Sequence, residues 1–365
     1  MKYRILETEH VKCIRSNNYN YNFNKDDGFF VRWGETKDDD PLFSPIGPEI
    51  LDMEISTICN LKCKACYKSN TDVGKNMSLK SVKIILSKFN KSLCQVAYGI
   101  GSIKGNPELW DILSYTRDQG ITPNITVNGH DIDDDEIVKL ANVCGAVSVS
   151  HYNDNDCYNT VERLVRAKQL PGATLRQVNI HQLYCSESLD GCRKIISDAK
   201  SDKRLNGLNA VVLMTLKPRG KRNNLTPVNS LNKFRDLFKF AIDSGVQVGM
   251  DSCAAPQAFK AIENLGMMDV AQSIESCESY GLFSCYCNVD GTYFPCSFAE
   301  GIGDWEEGLS ILNCSDFVKD IWYHPKLNKW RHKSLSMSSA CDCRFSGECR
   351  PCPLFNITPC FDLKG

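Results

Sequence analysis

The feature that most restricts this chain is a strand–helix alternation from about residue 49 to residue 250. Ile50–Thr57 is a largely alternating apolar run and reads as a first strand. A helix follows, with Ser78 as N-cap and Leu79, Val82, Ile85, Leu86 and Phe89 on one face. Further strands are expected over Gln95–Ile100, Pro123–Val127, Ala146–His151, Leu175–Leu183, Asn209–Leu216 and Val246–Asp251. Helices fall between them. One opens at Asn106 and Pro107 and stops at Gly120. Others run from Asp133 to near Gly145, through Val161, Leu164 and Val165, over Gly191–Ala199, and over Leu231–Ser244 with Gly245 as the stop. Such alternation builds a parallel sheet with right-handed crossovers. Six units suit an α/β partial (β/α)6 TIM-like barrel, left open, better than a closed eight-stranded one. Barrels of this kind gather reactive groups at the C-terminal ends of their strands.

Composition narrows the setting. A chain of 365 residues, 42% hydrophobic, can bury a sizeable core. Its net charge of −1 gives no case for nucleic acid or an anionic membrane surface. No run approaches the roughly 18 apolar residues of a membrane span. The N-terminus, MKYRILETEH, is no signal peptide, so a cytoplasmic protein is expected. There are 20 cysteines, and without a secretory signal they point to metal or redox chemistry rather than disulfides. Cys13, Cys94, Cys144, Cys157, Cys185 and Cys192 are scattered and read as small buried hydrophobes. Residues 1–48 form an extension rich in Asn, Asp and Tyr, with a strand or hairpin expected near Phe29–Trp33 and no independent domain.

Cys59, Cys63 and Cys66 lie in STICNLKCKACYKSN, closely after the first strand. Thiols spaced C-x3-C-x2-C hold three irons of a [4Fe–4S] cluster from one loop and leave the fourth iron without a protein ligand. Zinc normally takes four protein ligands, and this loop offers three.

On this triplet, at the end of the first strand of a six-unit partial barrel, the chain resembles the radical S-adenosylmethionine (radical SAM) superfamily over residues 49–250. The superfamily signature is C-x3-C-x-aromatic-C. Here Ala65 takes the aromatic position and Tyr67 follows the third cysteine. The resemblance implies that Cys59, Cys63 and Cys66 ligate a [4Fe–4S] cluster that binds S-adenosylmethionine. It implies a glycine turn against the methionine amino group after strand two, matched by Gly99 and Gly101, with Ser102 where the family has an acid. It matches Ser150 and Asn179, on strands four and five, to polar groups that hold the ribose and carboxylate. Without the resemblance, these glycines read as an ordinary turn and the polar residues as strand-end caps. His151, His181 and Gln182 share those strands, and His181 is either a core histidine or a substrate contact. Lys217 and Arg219 either meet a carboxylate or phosphate, or form an exposed basic loop.

Beyond Asp251 the texture changes. Cys253, Cys277, Cys285, Cys287, Cys296, Cys314, Cys341, Cys343, Cys349, Cys352 and Cys360 lie there, with a hairpin expected around Asp290 and Gly291. Few other signals of a packed core stand out, so residues 251–365 read as a small cysteine-rich domain that needs metal to fold. The spacing of Cys277, Gly291 and Cys296 resembles the opening of the SPASM or twitch auxiliary-cluster domains, and Cys349 and Cys352 resemble their closing pair. The resemblance implies one auxiliary [4Fe–4S] cluster on Cys277, Cys296, Cys349 and Cys352. Cys341, Cys343 and Cys360 form a partial second set, and Cys285 and Cys287 are alternative ligands. A structural zinc is the competing reading of the same cysteines. Asp251, Ser252 and Cys253 end the last strand. An acid there serves as a general base and a thiol as a hydrogen-atom donor, or the trio is a helix cap with a buried cysteine.

The resemblance implies reductive cleavage of S-adenosylmethionine to a 5′-deoxyadenosyl radical, hydrogen abstraction from a substrate, and a flavodoxin- or ferredoxin-type electron donor. Only about 48 residues precede the barrel, which argues against an N-terminal leader-binding domain and favours oxidation of a small molecule. Peptide modification stands second. From other classes, the alternatives are a non-catalytic iron–sulfur electron carrier and a metal-stapled nucleic-acid-binding module, the latter opposed by the near-neutral charge.

Overall fold

A computed structural model of the chain describes residues 2–89, 91–339 and 343–355. Cys341 and Cys360 lie outside the described residues. Strands β1 (Arg4–Glu7), β2 (Val11–Arg15), β3 (Asn20–Asn24) and β4 (Phe30–Trp33) form an antiparallel sheet in sequence order. This is more structure than the single hairpin expected there. Ile14, Tyr19, Tyr21 and Phe23 are buried at its base with Ile46, Cys94, Leu282 and Phe283. Alternation carries these aromatics inward, although Asn20 and Asn22 between them hide the pattern. Arg32 fastens this sheet to the body. Its Nε donates to both carboxylate oxygens of Glu49, at 2.8 and 2.7 Å, and its Nη atoms donate to Glu278 at 2.6 and 3.0 Å.

The main sheet follows the alternation read from the sequence. Its parallel strands are β5 (Ile50–Glu54), β6 (Gln95–Gly99), β7 (Thr122–Val127), β8 (Ala146–Ser150), β9 (Gln177–Tyr184), β10 (Ala210–Thr215) and β11 (Val248–Met250). Helices α1 (Leu79–Ser87), α2 (Leu109–Asp118), α3 (Asp134–Val143), α4 (Asp154–Ala167), α5 (Leu189–Ser201) and α6 (Leu231–Ser244) connect them. Neighbours in sequence are neighbours in the sheet, so all seven C-terminal strand ends point the same way. Side-chain caps set several helix starts: Ser78 accepts from Ser81, Asn153 from Asp156 and Ser230 from Lys233, while Asp133 and Glu136 form a capping box. Gly245 ends α6 at φ +69°, as a left-handed C-cap requires.

Asn106 opens the turn into α2, its Oδ1 accepting from the Glu108 N–H at 3.0 Å, although the helix itself starts later, at Leu109. Its Nδ2 also donates to the carbonyls of Ile55, at 2.8 Å, and Met77, at 2.9 Å, which pins the end of β5 to the entry of α1.

After α7 (Ala255–Leu265) the chain returns to the main sheet. β12 (Ser284–Cys287) pairs with β5 in parallel, and β13 (Thr292–Phe294) and β14 (Leu309–Ser310) extend the edge antiparallel. The expected hairpin turn is there, with Asn288 Oδ1 accepting from the N–H groups of Asp290 and Thr292. The described ten-stranded sheet has β11 and β14 as its two edges. The packing here exceeds what the cysteine-rich composition suggested. Tyr280, Tyr286, Tyr293, Trp305, Phe317 and Trp322 are buried in the same core as β5–β11. Helix α8 (Pro325–Ser339) lies across this region, and its buried Arg331 donates to the carbonyls of Gly281 and Trp322. Among the described residues no helix is long and apolar enough to cross a membrane.

Candidate active site

The C-terminal strand ends and the segment beyond Asp251 enclose one cavity of about 540 Å³. Cys59, Cys63 and Cys66 line it, from the loop that leaves β5. Their thiols are partly exposed rather than buried in the core. Burial pushes the Cys63 thiol up, opposed by a hydrogen bond from Tyr152. Among the described residues no three His, Cys, Asp or Glu side chains converge as a single ion would require. A four-iron cluster instead takes each thiolate on a different iron, so its ligands stand around a cube. Three accessible thiols on the wall of a roomy cavity fit that demand.

The approach of the second strand's turn is set by the cysteine loop itself. A Cβ on Gly101 would meet the Cys59 Cβ at 2.5 Å. The Gly101 carbonyl accepts from the Cys59 thiol at 3.4 Å and from Asn128 Nδ2 at 2.9 Å. Gly101 is therefore glycine because Cys59 occupies the space a side chain would need. Gly99 and Gly101 both line the cavity. Ser102 does not. Its hydroxyl accepts from the Lys104 N–H and its carbonyl from the Gly105 N–H, so it closes the turn.

Among the polar strand ends, Ser150 lines the cavity and Asn179 does not. Asn179 lies on the same face of β9 as His181 but two residues earlier, and His181 is the residue that reaches the cavity. Burial holds His181 low, to about 4, against the pull of Asp251, so it is a neutral imidazole near pH 7. Gln182 is on the opposite face, towards Gly191 of α5. His151 pairs with Asp154 at 2.9 Å, away from the cavity wall.

Lys217 and Arg219 are not an exposed basic loop. Lys217 is buried and paired with Asp251, which also accepts from Thr215 Oγ1 at 2.7 Å and the Thr215 N–H at 3.1 Å. Burial alone would pull Lys217 down, but Asp251 and the groups around it together push it up. Asp251 is thereby committed to three donors, the Lys217 ammonium, the Thr215 hydroxyl and the Thr215 N–H. Arg219 donates to the Glu300 carbonyl at 2.6 Å. Gly220, at φ +100°, lets this strap cross the cysteine loop, since a Cβ there would meet the Cys66 carbonyl oxygen at 2.3 Å.

The cysteine loop is also tied to the C-terminal segment. Lys68 pairs with Glu54 at 3.1 Å and with Glu300, and donates to Tyr286 Oη at 2.7 Å. Tyr67 packs on Phe298 with ring centroids 4.5 Å apart. The aromatic that follows the triplet thus joins two parts of the protein.

Cys253, Cys277, Cys296 and Cys352 line the same cavity, and Cys349 does not. Cys285 and Cys287 are buried on β12 outside it, and the Cys287 thiol donates to the Asn288 carbonyl at 3.5 Å. Sequence reading missed several cavity residues: Asp52, Glu54, Asn128, Tyr152 and Arg222. Asp52 makes no hydrogen bond or ion pair among the described residues, and burial raises it to about 6. The signal available for Asp52 was an acid interrupting an apolar strand one turn before a cysteine loop.

Solved structures share this architecture. Streptococcus suis SuiB bound to S-adenosylmethionine matches with a TM-score of 0.71 at 12% identity, over 94% of this chain and 95% of that one. Native anSMEcpe with bound AdoMet and Cp18Cys peptide matches with a TM-score of 0.58 at 19% identity, over 87% of this chain and 95% of that one. The fold is the one that these two structures share. At such identities the likeness concerns fold alone. No protein-family model matches the sequence, and no curated protein matches it.

Proposed function

We propose that this chain is a radical SAM enzyme that abstracts hydrogen from a peptide substrate held in the shared cavity. The observation that carries the reading is that the C-x3-C-x2-C thiols, the Gly99–Gly101 turn and Ser150 all line one space at the strand ends. A bound [4Fe–4S] cluster with S-adenosylmethionine, reduced by one electron from a flavodoxin- or ferredoxin-type donor, would supply the radical chemistry for hydrogen abstraction. The chain's own share is placement. Cys59, Cys63 and Cys66 would hold the cluster, Gly99 and Gly101 would let the cosubstrate approach bare backbone, and Ser150 would hydrogen-bond its sugar. Lys217, kept charged by Asp251, would attract an anionic or carbonyl group of the substrate. Asp52, raised to about 6, is the acid free to take a proton there. The partial barrel and an auxiliary-cluster segment beyond residue 251 belong to this same reading.

A peptide is preferred to a small molecule for two reasons. The argument for a small molecule rested on too little chain before residue 49, yet that chain forms a four-stranded sheet. The matching anSMEcpe structure holds a peptide beside AdoMet. Small-molecule oxidation is the second reading.

The test is direct. Anaerobically reconstituted protein with dithionite and S-adenosylmethionine should release 5′-deoxyadenosine, and Cys59→Ala should abolish the release. Absence of deoxyadenosine from fully iron-loaded protein would sink the enzyme reading.

A further inference from the structure

The thiols beyond Asp251 sort into two groups by position. Cys253 sits in the turn Ser252–Ala254 after β11, Cys277 before β12, Cys296 after β13, and Cys352 near the end of the described chain. All four line the cavity. Their charges are within reach of one another: Cys253 of Cys277 and Cys296, and Cys352 of both Cys277 and Cys296. Cys352 rests in a turn that presents a backbone N–H to the sulfur, donated by Phe355 at 3.4 Å. Backbone donors of this kind stabilise a thiolate and are the hydrogen bonds that tune cluster sulfurs. Cys253 has the buried Lys217 ammonium as its charged neighbour instead.

Cys349 faces elsewhere. It packs with Cys343 against the apolar cluster of Ala255, Phe259, Ile262 and Phe345. Its N–H donates to the Phe345 carbonyl at 2.9 Å, and its carbonyl accepts from Ser338 at 2.7 Å. Between the two cysteines, Arg350 turns towards Cys277 and donates to its carbonyl at 2.7 Å. The C-x2-C pair therefore straddles a wall, with Cys352 on the cavity side and Cys349 on the other.

We propose that Cys253 is the fourth ligand of the auxiliary [4Fe–4S] site, with Cys277, Cys296 and Cys352, and that Cys349 lies outside it. The inference rests on the radical SAM reading for the existence of an auxiliary cluster. On binding, four thiols release four protons to solvent as four Fe–S bonds form, and no electron is needed for ligation. Ligation removes Cys253 from the role of hydrogen-atom donor. It also puts the auxiliary cluster beside the Lys217–Asp251 pair, at the end of β11, where a substrate radical could pass its electron to it.

The test uses the full chain carrying Cys59→Ala, Cys63→Ala and Cys66→Ala, so that only the auxiliary site can load. Reconstitution with iron and sulfide should give about four irons per chain. Adding Cys253→Ala should cut iron to about one or less, or leave a three-iron signal in the oxidised electron paramagnetic resonance spectrum. Adding Cys349→Ala instead should leave iron and spectrum unchanged. Cys253→Ser, which keeps size and offers a weaker oxygen ligand, should shift the reduced-state g values if the alanine variant unfolds. Unchanged iron and spectra in both Cys253 variants, or equal loss in Cys349→Ala, overturns the assignment. Failure of the triple variant to bind iron also overturns it. Failure of the intact protein to cleave S-adenosylmethionine would overturn the functional reading and not this site.

Discussion

Cys59, Cys63 and Cys66 come from one loop of eight residues, whereas Cys253, Cys277, Cys296 and Cys352 come from four separate turns. The first set is held by short-range chain. The second set meets around the cavity only once β12 has paired with β5 and the segment holding Cys352 has packed beside it. A local site tolerates drift in the surrounding fold, while an assembled site depends on every contact that brings its pieces together. Lys68 and the Gly220 strap link the two.

The sharpest way to break the comparison is to delete one thiol from each set. Cys63→Ala should lower 5′-deoxyadenosine formation by more than about 100-fold and remove about four irons, leaving the other cluster's spectrum intact. Cys296→Ala should remove a similar amount of iron yet keep cleavage of S-adenosylmethionine, with substrate product lost. Chromatography of both reaction mixtures, beside iron assays, checks this, and equal loss of cleavage in the two variants would end the distinction.

Lys217→Ala should be the most destabilising of the substitutions that remove a buried charge near the assembled set. It leaves Asp251, whose side chain is 12% exposed, without its cation and should cost about 4 kcal/mol in denaturant unfolding. Gly220→Ala should cost about 3 kcal/mol, since the added Cβ meets backbone at a left-handed φ, and should disturb the first cluster's spectrum more than the second's. Lys68→Ala strands Glu54 and should cost about 2 kcal/mol. A loss below about half of each value would show that the link is dispensable.

The smallest effect is on pH. Burial raises Asp52 from 3.8 to about 6, so between those values the folded chain holds a proton that the unfolded chain releases. Stability should therefore rise as pH falls from 7 to 5, with the contribution lost again as pH climbs through about 6. Because Asp52 is open to cavity water, the difference between wild type and Asp52→Asn should stay under about 1 kcal/mol. Thermal melts of the two proteins at pH 5 and pH 7 measure it, and parallel curves would remove Asp52 as the acid free to take a proton.

Much of the fold was legible. The seven parallel strands, the caps at Ser78 and Gly245 and the turn at Asp290–Gly291 all follow from apolar periodicity and local turn chemistry. Such signals act within a few residues. The four-stranded N-terminal sheet was missed beyond one hairpin, because Asn20, Asn22 and Asn24 in β3 mask an inward row of Tyr19, Tyr21 and Phe23. The core beyond residue 251 was missed because its aromatics are spread over loops, where no period marks them.

The site divided in the same way. Cys59, Cys63 and Cys66 were fixed by spacing, and the structure brings Gly99, Gly101 and Ser150 to the same cavity. Asn179 and Ser102 stay outside it, since one sits too early on its strand and the other closes its own turn. By itself, the sequence determined a parallel α/β scaffold and a three-thiol loop at its first strand end. Only the tertiary structure decided that β12 lies beside β5, that Tyr67 meets Phe298, that Lys217 is committed to Asp251, and that Cys253 faces the cavity while Cys349 does not. Each of those depends on which distant segments pack together, and burial, not local spacing, chooses among such partners.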